Sequence, residues 1–257
     1  MIILDGKTLS AKILKDLKIS DLSKLSLHVV LVGDDPSSVK YVSLKQKKCL
    51  ELGINFQLHH LPKTVTEAEL LSRISSLNSD RSVTGFFVQL PLSKNIDQSK
   101  ILKSIDPQKD IDGLNPDSKF TPAVVVGIIK LLENYQIDFA GKNIVIVNDS
   151  DLIGQPLKKI LESKGGIVSL CNENTSNLQL VTEDADILIS ATGVKNLITD
   201  DFVKEGAVVV DVGGGDVDFS DVCQKCSYIT PTFGGVGPMT IACLLYNLVN
   251  RNENPTF

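Results

Sequence analysis

A chain of 257 residues, 42% apolar and 22% charged, carries enough material for two modest cores, so two domains are expected rather than one. Its formal net charge of −5 argues against a nucleic-acid footprint or a polybasic membrane surface, and no run approaches the roughly 20 apolar residues of a membrane span. An anionic ligand would have to be met by locally placed lysines, for which Lys40, Lys45, Lys47 and Lys48 form the candidate cluster.

The N-terminal stretch MIILDGKTLSAKIL has an Asp and a Gly within six residues and lacks the apolar core of a signal peptide. Five cysteines, an odd number without a secretory signal, read as reduced thiols of a cytoplasmic protein. Cys223 and Cys226 make a C-x-x-C, but no second Cys or His pair stands at finger-like spacing to complete a zinc site. His28 lies in an apolar run and His59-His60 close another, which suits strand or core positions better than ligands.

Strand-like and helix-like segments then alternate. LHVVLVG, residues 27–33, is a buried-strand run; the helix around Tyr41 follows, INFQLHHL extends, TEAELLSRISSL is helical with Thr66 as cap, and VTGFFVQL is a strand again. After Pro122 a second series begins: VVVGIIKLLENY (helix), KNIVIVN (strand), GQPLKKILESKG (helix ending at Gly165-Gly166), then the strands GIVSLC, ADILISATG and GAVVVDVGGG. Near-continuous Val/Ile/Leu strands imply parallel sheets covered on both faces. The expected fold class is therefore α/β: two α/β domains around a cleft, the second a Rossmann-type parallel sheet. The closing helix, PMTIACLLYNLVN, is expected to return to the first domain, giving boundaries of 1–119 plus 239–257 for one domain and 120–238 for the other.

Within GDDPSSVKYVSLKQKKCLELG, Tyr41 and Lys45 stand four apart, which at 3.6 residues per turn puts phenol and ammonium on one helical face. A solvated pair would show the same spacing, but two further polar segments, VQLPL around Gln89 and KDIDGLNP around Asp112, follow at strand ends or in loops, where sites are usually built. In the second series the loop NDSDLIGQP lacks G-x-G-x-x-G, yet a strand-loop-helix with Gly154 near the helix start offers N–H groups and a positive dipole end to a phosphate. ATG at 191–193 and DVGGG from Asp211 end strands in small residues that let a flat ligand approach the backbone; tight turns alone would use the same glycines.

Taken together, GDDPSSVKYVSLKQKKCLELGI, GFFVQLPL, KDIDGLNP, SDLIGQP, ADILISATG, GAVVVDVG, GDVDF and YITPTFGGVGPMT resemble the methylenetetrahydrofolate dehydrogenase/cyclohydrolase family, in the same order and over nearly the whole chain. The resemblance implies NADP-linked oxidation of methylene-tetrahydrofolate to the methenyl form, hydrolysis of that form to 10-formyl-tetrahydrofolate, and a homodimer. It implies Lys45 as the base that helps water open the methenyl ring, with Gln89 fixing the lysine, Tyr41 stacking on the aminobenzoyl part and Asp112 accepting from the pterin amino edge. These four are the candidate catalytic residues, and Tyr41, Leu90, Pro91, Asp112, Gly235 and Pro238 the candidate folate contacts. Asn148, Asp149, Ser150, Gly154, Thr192, Gly193, Gly213 and Gly214 are the candidate dinucleotide contacts; no metal is expected.

Departures from the family pattern fall on the nucleotide side. G-R-S becomes Asn148-Asp149-Ser150, H-S-x-T becomes Asn172-Glu173-Asn174-Thr175, and T-P-V-P becomes Thr230-Pro231-Thr232-Phe233. C-T-P-x-G before the linking helix is read as Ala123-Val124-Val125-Val126-Gly127, which removes a Thr expected near the nicotinamide. The segments between Asp112 and Pro122 and between Gly213 and Asp216 are shorter than usual. With carboxylates at Asp149 and Glu173 where the family has Arg and Ser, NAD is expected over NADP. Two enzymatic readings follow, the bifunctional enzyme with altered cofactor contacts and a cyclohydrolase that has lost its dehydrogenase; a third is a non-catalytic folate- or nucleotide-binding protein. The short-chain dehydrogenases share Tyr-x-x-x-Lys, but there the nucleotide loop precedes the pair, and here it follows by about a hundred residues.

Overall fold

The computed structural model describes residues 1–18 and 21–252. They fall into two compact units, one made of Ile13–Ala123 with the C-terminal segment from Cys243, the other of Met1–Lys12 with Val124–Ala242. Of the C-terminal range expected in the first domain, 253–257 lie outside the described residues.

The chain opens with strand β1 (Ile2–Ile3) and helix α1 (Gly6–Leu17). Then come β2 (Ser26–Val32), α2 (Pro36–Leu52), β3 (Asn55–Leu61), α3 (Glu67–Ser79), β4 (Gly85–Val88) and the short α4 (Gln98–Lys103). The three longer strands form a parallel sheet in the order β3-β2-β4, with Val29 paired to Phe87 and Val30 to both His59 and Val88. Leu27, Val29, Val30 and Leu31 are buried, so β2 is apolar on both faces, as a central parallel strand must be.

Helix α2 starts where its sequence says it should. Asp35 caps it by accepting the Ser38 N–H at 2.8 Å, Pro36 supplies a pre-set φ, and Gly53 closes it in the left-handed conformation at φ 75°. Helix α3 carries a full capping box between Thr66 and Glu69. His28 and His59, on neighbouring strands, stack with their Nδ1 and Nε2 atoms 2.9 Å apart, and burial holds both below the ordinary imidazole range. His60 lies near the Gly33 carbonyl and the Asp34 carboxylate at the strand end.

In the other unit α5 (Ala123–Asn134), of which all but the first residue belongs here, leads to β5 (Asn143–Val147), α6 (Gly154–Ser163), β6 (Ile167–Cys171) and α7 (Leu178–Thr182). β7 (Ile187–Ser190), β8 (Val208–Asp211), the short α8 (Phe219–Val222), β9 (Tyr228–Ile229) and α9 (Val236–Val249) follow. The sheet is parallel throughout, in the order β1-β9-β8-β7-β5-β6. Its core sets Val145, Leu188, Val209 and Ile229 against Ile198, Val217, Val222 and Cys226. Cys226 therefore serves packing, and none of the five cysteines forms a disulfide.

The division differs from the expected one at the N-terminus. Residues 1–12 join the six-stranded unit, because Ile2 and Ile3 pair with Tyr228 and Ile229 and the Lys7 N–H donates to the Gly234 carbonyl at 2.8 Å. Gly6 is required there: a Cβ would lie 1.9 Å from the Gly235 oxygen. At the C-terminal end the closing helix changes unit at Cys243, beyond which Asn247 donates to the Ile111 carbonyl at 3.0 Å and Leu248 borders Gly85.

Candidate active site

In the three-stranded unit the strand order reverses at β2, so the carboxyl ends of β2 and β4 frame the crevice where parallel α/β sheets take ligands. Gln89 stands at that edge, its N–H donating to the Val30 carbonyl at 2.8 Å. Lys45 reaches it from α2. The Lys45 side chain is 2% exposed, and its Nζ donates to Gln89 Oε1 at 3.3 Å, while the Gln89 Nε2 donates to the Leu90 carbonyl at 2.7 Å, which fixes the carboxamide's orientation. Leu90 and Pro91 follow, joined by a cis peptide bond.

Around the ammonium stand two aromatic rings, Tyr41 with its centroid at 4.8 Å and Phe87 at 3.8 Å. Burial drives the Lys45 pKa down; the Asp112 carboxylate and the Cys49 thiol oppose this without cancelling it. Burial likewise raises Asp112, against the pull of Lys45, and pushes Cys49 up to about 12. An amine whose charged form is disfavoured, close to a largely buried carboxylate, is the equipment of a base beside a ligand-orienting acceptor.

The Asp112 loop is tied down from below. Buried Asp110 accepts the Asn115 N–H at 2.7 Å, Asn115 donates in turn to the Ile105 carbonyl at 2.7 Å, and the Ala123 N–H donates to the Asp112 carbonyl at 3.1 Å. Among the described residues Asp110 Oδ1 has no hydrogen-bond partner, and burial raises this carboxyl to about 6. Gly113 at φ 72° is indispensable, since a Cβ would fall 2.7 Å from the Thr121 backbone. That contact corrects one reading of the sequence. The linking helix begins at Ala123, so the residues before it are Lys119-Phe120-Thr121-Pro122: the Thr-Pro pair is present, beside Asp112, and Phe120 takes the Cys position. The lysine cluster needs correction too. Lys40 and Lys47 are exposed and Lys48 pairs with Glu51, so only Lys45 lies on the buried side of α2.

The six-stranded unit has its own crevice, where the order reverses at β5 between β6 and β7. Asn148, the first residue beyond β5, ties the loop together: its Oδ1 accepts from the Ser150 N–H (2.9 Å), the Ser150 hydroxyl (2.7 Å) and the Gly154 N–H (3.2 Å), and its Nδ2 donates to the Ala191 carbonyl (2.8 Å). Gly154 opens α6 in contact with this turn; a Cβ there would lie 2.1 Å from the Asn148 oxygen. Asp149 is exposed and accepts from Asn172 Nδ2 at 2.6 Å, which joins the loop after β5 to the loop after β6, where Glu173 is also exposed.

Two buried aspartates that sequence reasoning left without a role organise the neighbouring loops. Asp216 accepts from the Ser190 hydroxyl (2.9 Å), the Thr192 N–H (2.6 Å) and hydroxyl (3.0 Å), and the Gly193 N–H (3.0 Å). Asp211 accepts the N–H groups of Gly214 at 2.7 Å and Gly215 at 2.8 Å. Gly213 packs on Asp216 so closely that a Cβ would sit 2.0 Å from its oxygen. Their signal in the sequence was present, in that both belong to DVGGGDVDF, a run of glycines flanked by acids. Next to these loops lies a cavity of about 590 Å³ lined by Gly193, Lys195, Gly213, Gly214, Phe219 and Phe233. A Cβ added at Gly193 or Gly215 would meet open space, so the backbone is uncovered, and Phe233 is 84% exposed. Of the folate candidates, Tyr41, Leu90, Pro91 and Asp112 share the unit of Lys45, whereas Gly235 and Pro238 belong to this one.

Two family models match successive parts of the chain. The model of the tetrahydrofolate dehydrogenase/cyclohydrolase catalytic domain covers residues 4–112, and that of the family's NAD(P)-binding domain covers 122–256. The chain is 45% identical to the bifunctional protein FolD of Campylobacter jejuni strain RM1221, with 99% of each chain covered, and 42% identical to that of Nautilia profundicola, covering 99% and 98%. The first alignment spans 279 positions against 257 residues here, so the relative has segments this chain lacks. Among solved structures, the Campylobacter jejuni FolD enzyme superposes with a TM-score of 0.92 at 44% identity over the whole of both chains. The Trypanosoma brucei enzyme, solved with NADP and an inhibitor, gives 0.92 at 27% identity over 97% and 96%. This chain belongs to the tetrahydrofolate dehydrogenase/cyclohydrolase family.

Proposed function

We propose that the chain performs both reactions of its family, oxidising 5,10-methylene-tetrahydrofolate to the methenyl form with a nicotinamide dinucleotide and hydrolysing that form to 10-formyl-tetrahydrofolate. The observation that carries the hydrolytic half is the buried Lys45 amine held at Gln89. In its neutral form Lys45 takes a proton from water as the oxygen adds to the cationic methenyl carbon; the carbon–N5 bond then breaks as that proton passes to N5, and the carbinol hydroxyl releases its own proton to solvent to leave the formyl carbonyl. Asp112 orients the pterin by accepting from its amino edge, and Tyr41 offers a ring to the aminobenzoyl part.

For the oxidative half the fitting observation is the uncovered backbone at Gly193 and Gly215, beside the turn at Asn148 and Gly154. The first turn of α6 would hold the pyrophosphate, and Thr192, Gly193, Gly213 and Gly214 the nicotinamide half. The dinucleotide, when bound, accepts the hydride. Asp149 and Glu173, exposed where a ribose would sit, favour the 2′-hydroxyl of NAD over the 2′-phosphate of NADP. The family pattern supports a cytoplasmic homodimer. The monofunctional cyclohydrolase reading is not favoured, because both family domains are matched. Absorbance of the methenyl compound tests the proposal: it should rise on adding methylene-tetrahydrofolate and either dinucleotide, then decay as hydrolysis proceeds. A protein that hydrolyses authentic methenyl-tetrahydrofolate but forms none would have lost the oxidative half.

A further inference from the structure

Lys45 is an enclosed cation with little conventional compensation. Its hydrogen bond to Gln89 is long, and none of the ion pairs among the described residues includes it. What it has instead is a ring face: the Nζ sits 3.8 Å from the Phe87 centroid, closer than the 4.8 Å to Tyr41. Phe87 is 1% exposed and rigidly placed, because it lies inside β4 with its backbone in register with Val29. Alternation along the strand puts its neighbours Phe86 and Val88 on the opposite face of the sheet, and Gln89, two residues on, follows the same side as Phe87. One short segment thus delivers both the ring and the carboxamide that meet the amine. A cation on a desolvated ring face is attracted more strongly than at an exposed one, and the attraction acts on the ammonium, not on the neutral amine.

We propose that Phe87 is a positioning residue for the hydrolytic step, its ring holding the Lys45 Nζ at the Gln89 carboxamide and setting the pH at which the amine becomes available as a base. The inference rests on the reading of Lys45 as that base. The other groups facing the Nζ are the Asp112 carboxylate, from the loop after α4, and the Cys49 thiol and Tyr41 ring, from the same helix as Lys45. The Asp112 carboxylate acts through its charge, the Cys49 thiol stays protonated, and the ring of Phe87 opposes the effect of burial in the same direction as Asp112. Removing its electrostatic part leaves burial less opposed, so the neutral amine forms at lower pH; removing its shape also frees the side chain to leave Gln89.

Fluorinated phenylalanines at position 87 separate these two parts, since fluorine drains the ring face of negative potential with little change of size. In the intact protein, the pH dependence of kcat for methenyl hydrolysis should keep its form while the midpoint of its acid limb moves down stepwise from mono- to trifluorophenylalanine. The whole shift should be about half to one pH unit. Phe87→Leu should show the downward shift together with a lower kcat, and Phe87→Tyr should return both toward the wild type. An acid limb that stays in place across the fluorinated series overturns the proposal. Lys45→Met, run alongside, distinguishes the failures: surviving hydrolysis there overturns the base reading and this inference with it, whereas lost hydrolysis with an unmoved midpoint overturns only the role of Phe87.

Discussion

Two buried aspartates, one in each unit, show how differently the two halves of this enzyme are built. Asp216 accepts four hydrogen bonds and turns a glycine-rich loop into a fixed backbone surface. Asp110 accepts the Asn115 N–H through one carboxylate oxygen, while the other has no hydrogen-bond partner among the described residues, beneath the loop that carries Asp112. The nucleotide side presents main chain, and its buried carboxylate serves to hold that main chain still. The catalytic side presents side chains, Lys45, Gln89 and Asp112, in surroundings that disfavour charge. Buried polar groups that are fully satisfied rigidify, and those that are not are a cost retained at functional sites.

The largest effect expected is on the side-chain half. Lys45→Met should reduce methenyl hydrolysis by at least about a hundredfold, the scale of a general base, with an unchanged circular dichroism spectrum. Near-wild-type hydrolysis in this variant would mean that the buried amine is only packing. For Asp110 the expectation concerns stability. Its folded pKa of about 6 exceeds the unfolded value of 3.8, so its favourable contribution is complete below pH 3.8 and lost as pH rises through 6. Asp110→Asn should therefore stabilise the fold more at pH 8 than at pH 5, by about 1.4 kcal/mol as read from the thermal midpoints, because at 1.36 kcal/mol per unit only the part of the shift that titrates between pH 5 and 6 falls in that window. Equal gains at the two pH values would show that the unpartnered oxygen carries no charge penalty.

Asp112→Asn keeps the shape and removes the charge, and should weaken folate binding by roughly 1.5–3 kcal/mol in a titration while damaging both activities alike. Unchanged affinity would reduce Asp112 to a turn residue. On the backbone half, Gly154→Ala forces a Cβ to within 2.1 Å of the Asn148 oxygen, and should raise the dinucleotide KM about tenfold while hydrolysis stays within twofold. Equal loss of both activities would instead point to unfolding of that unit. The smallest effect is the charge exchange Asp149→Arg, which should improve kcat/KM for NADP relative to NAD by a fewfold, as an exposed site allows. A wild-type enzyme already more efficient with NADP would overturn the charge argument.

Much of this was legible along the chain because it is local. The caps at Asp35 and Thr66, the left-handed Gly53 and the unbroken apolar strands announced their elements, and four-residue spacing was enough to bring Tyr41 and Lys45 to one side of α2. The motifs carried the family. Where the local reading went astray, the cause was a boundary or a distant partner. The start of α5 at Ala123, not visible in a run of valines, decides that Thr121 and Pro122 precede the linking helix. Pairing of Ile2 and Ile3 with β9, more than two hundred residues away, decides which unit owns the N-terminus. Four lysines close in sequence are separated because only one of them faces inward on the helix. Tertiary structure alone decides the ring of Phe87 over Lys45, the clamp of Asp216 on Thr192 and Gly193, and the orphan oxygen of Asp110. The first two depend on residues dozens apart meeting in three dimensions, the third on how the fold encloses a carboxylate, and the free energy of a buried polar group is set by such surroundings rather than by its own place in the sequence.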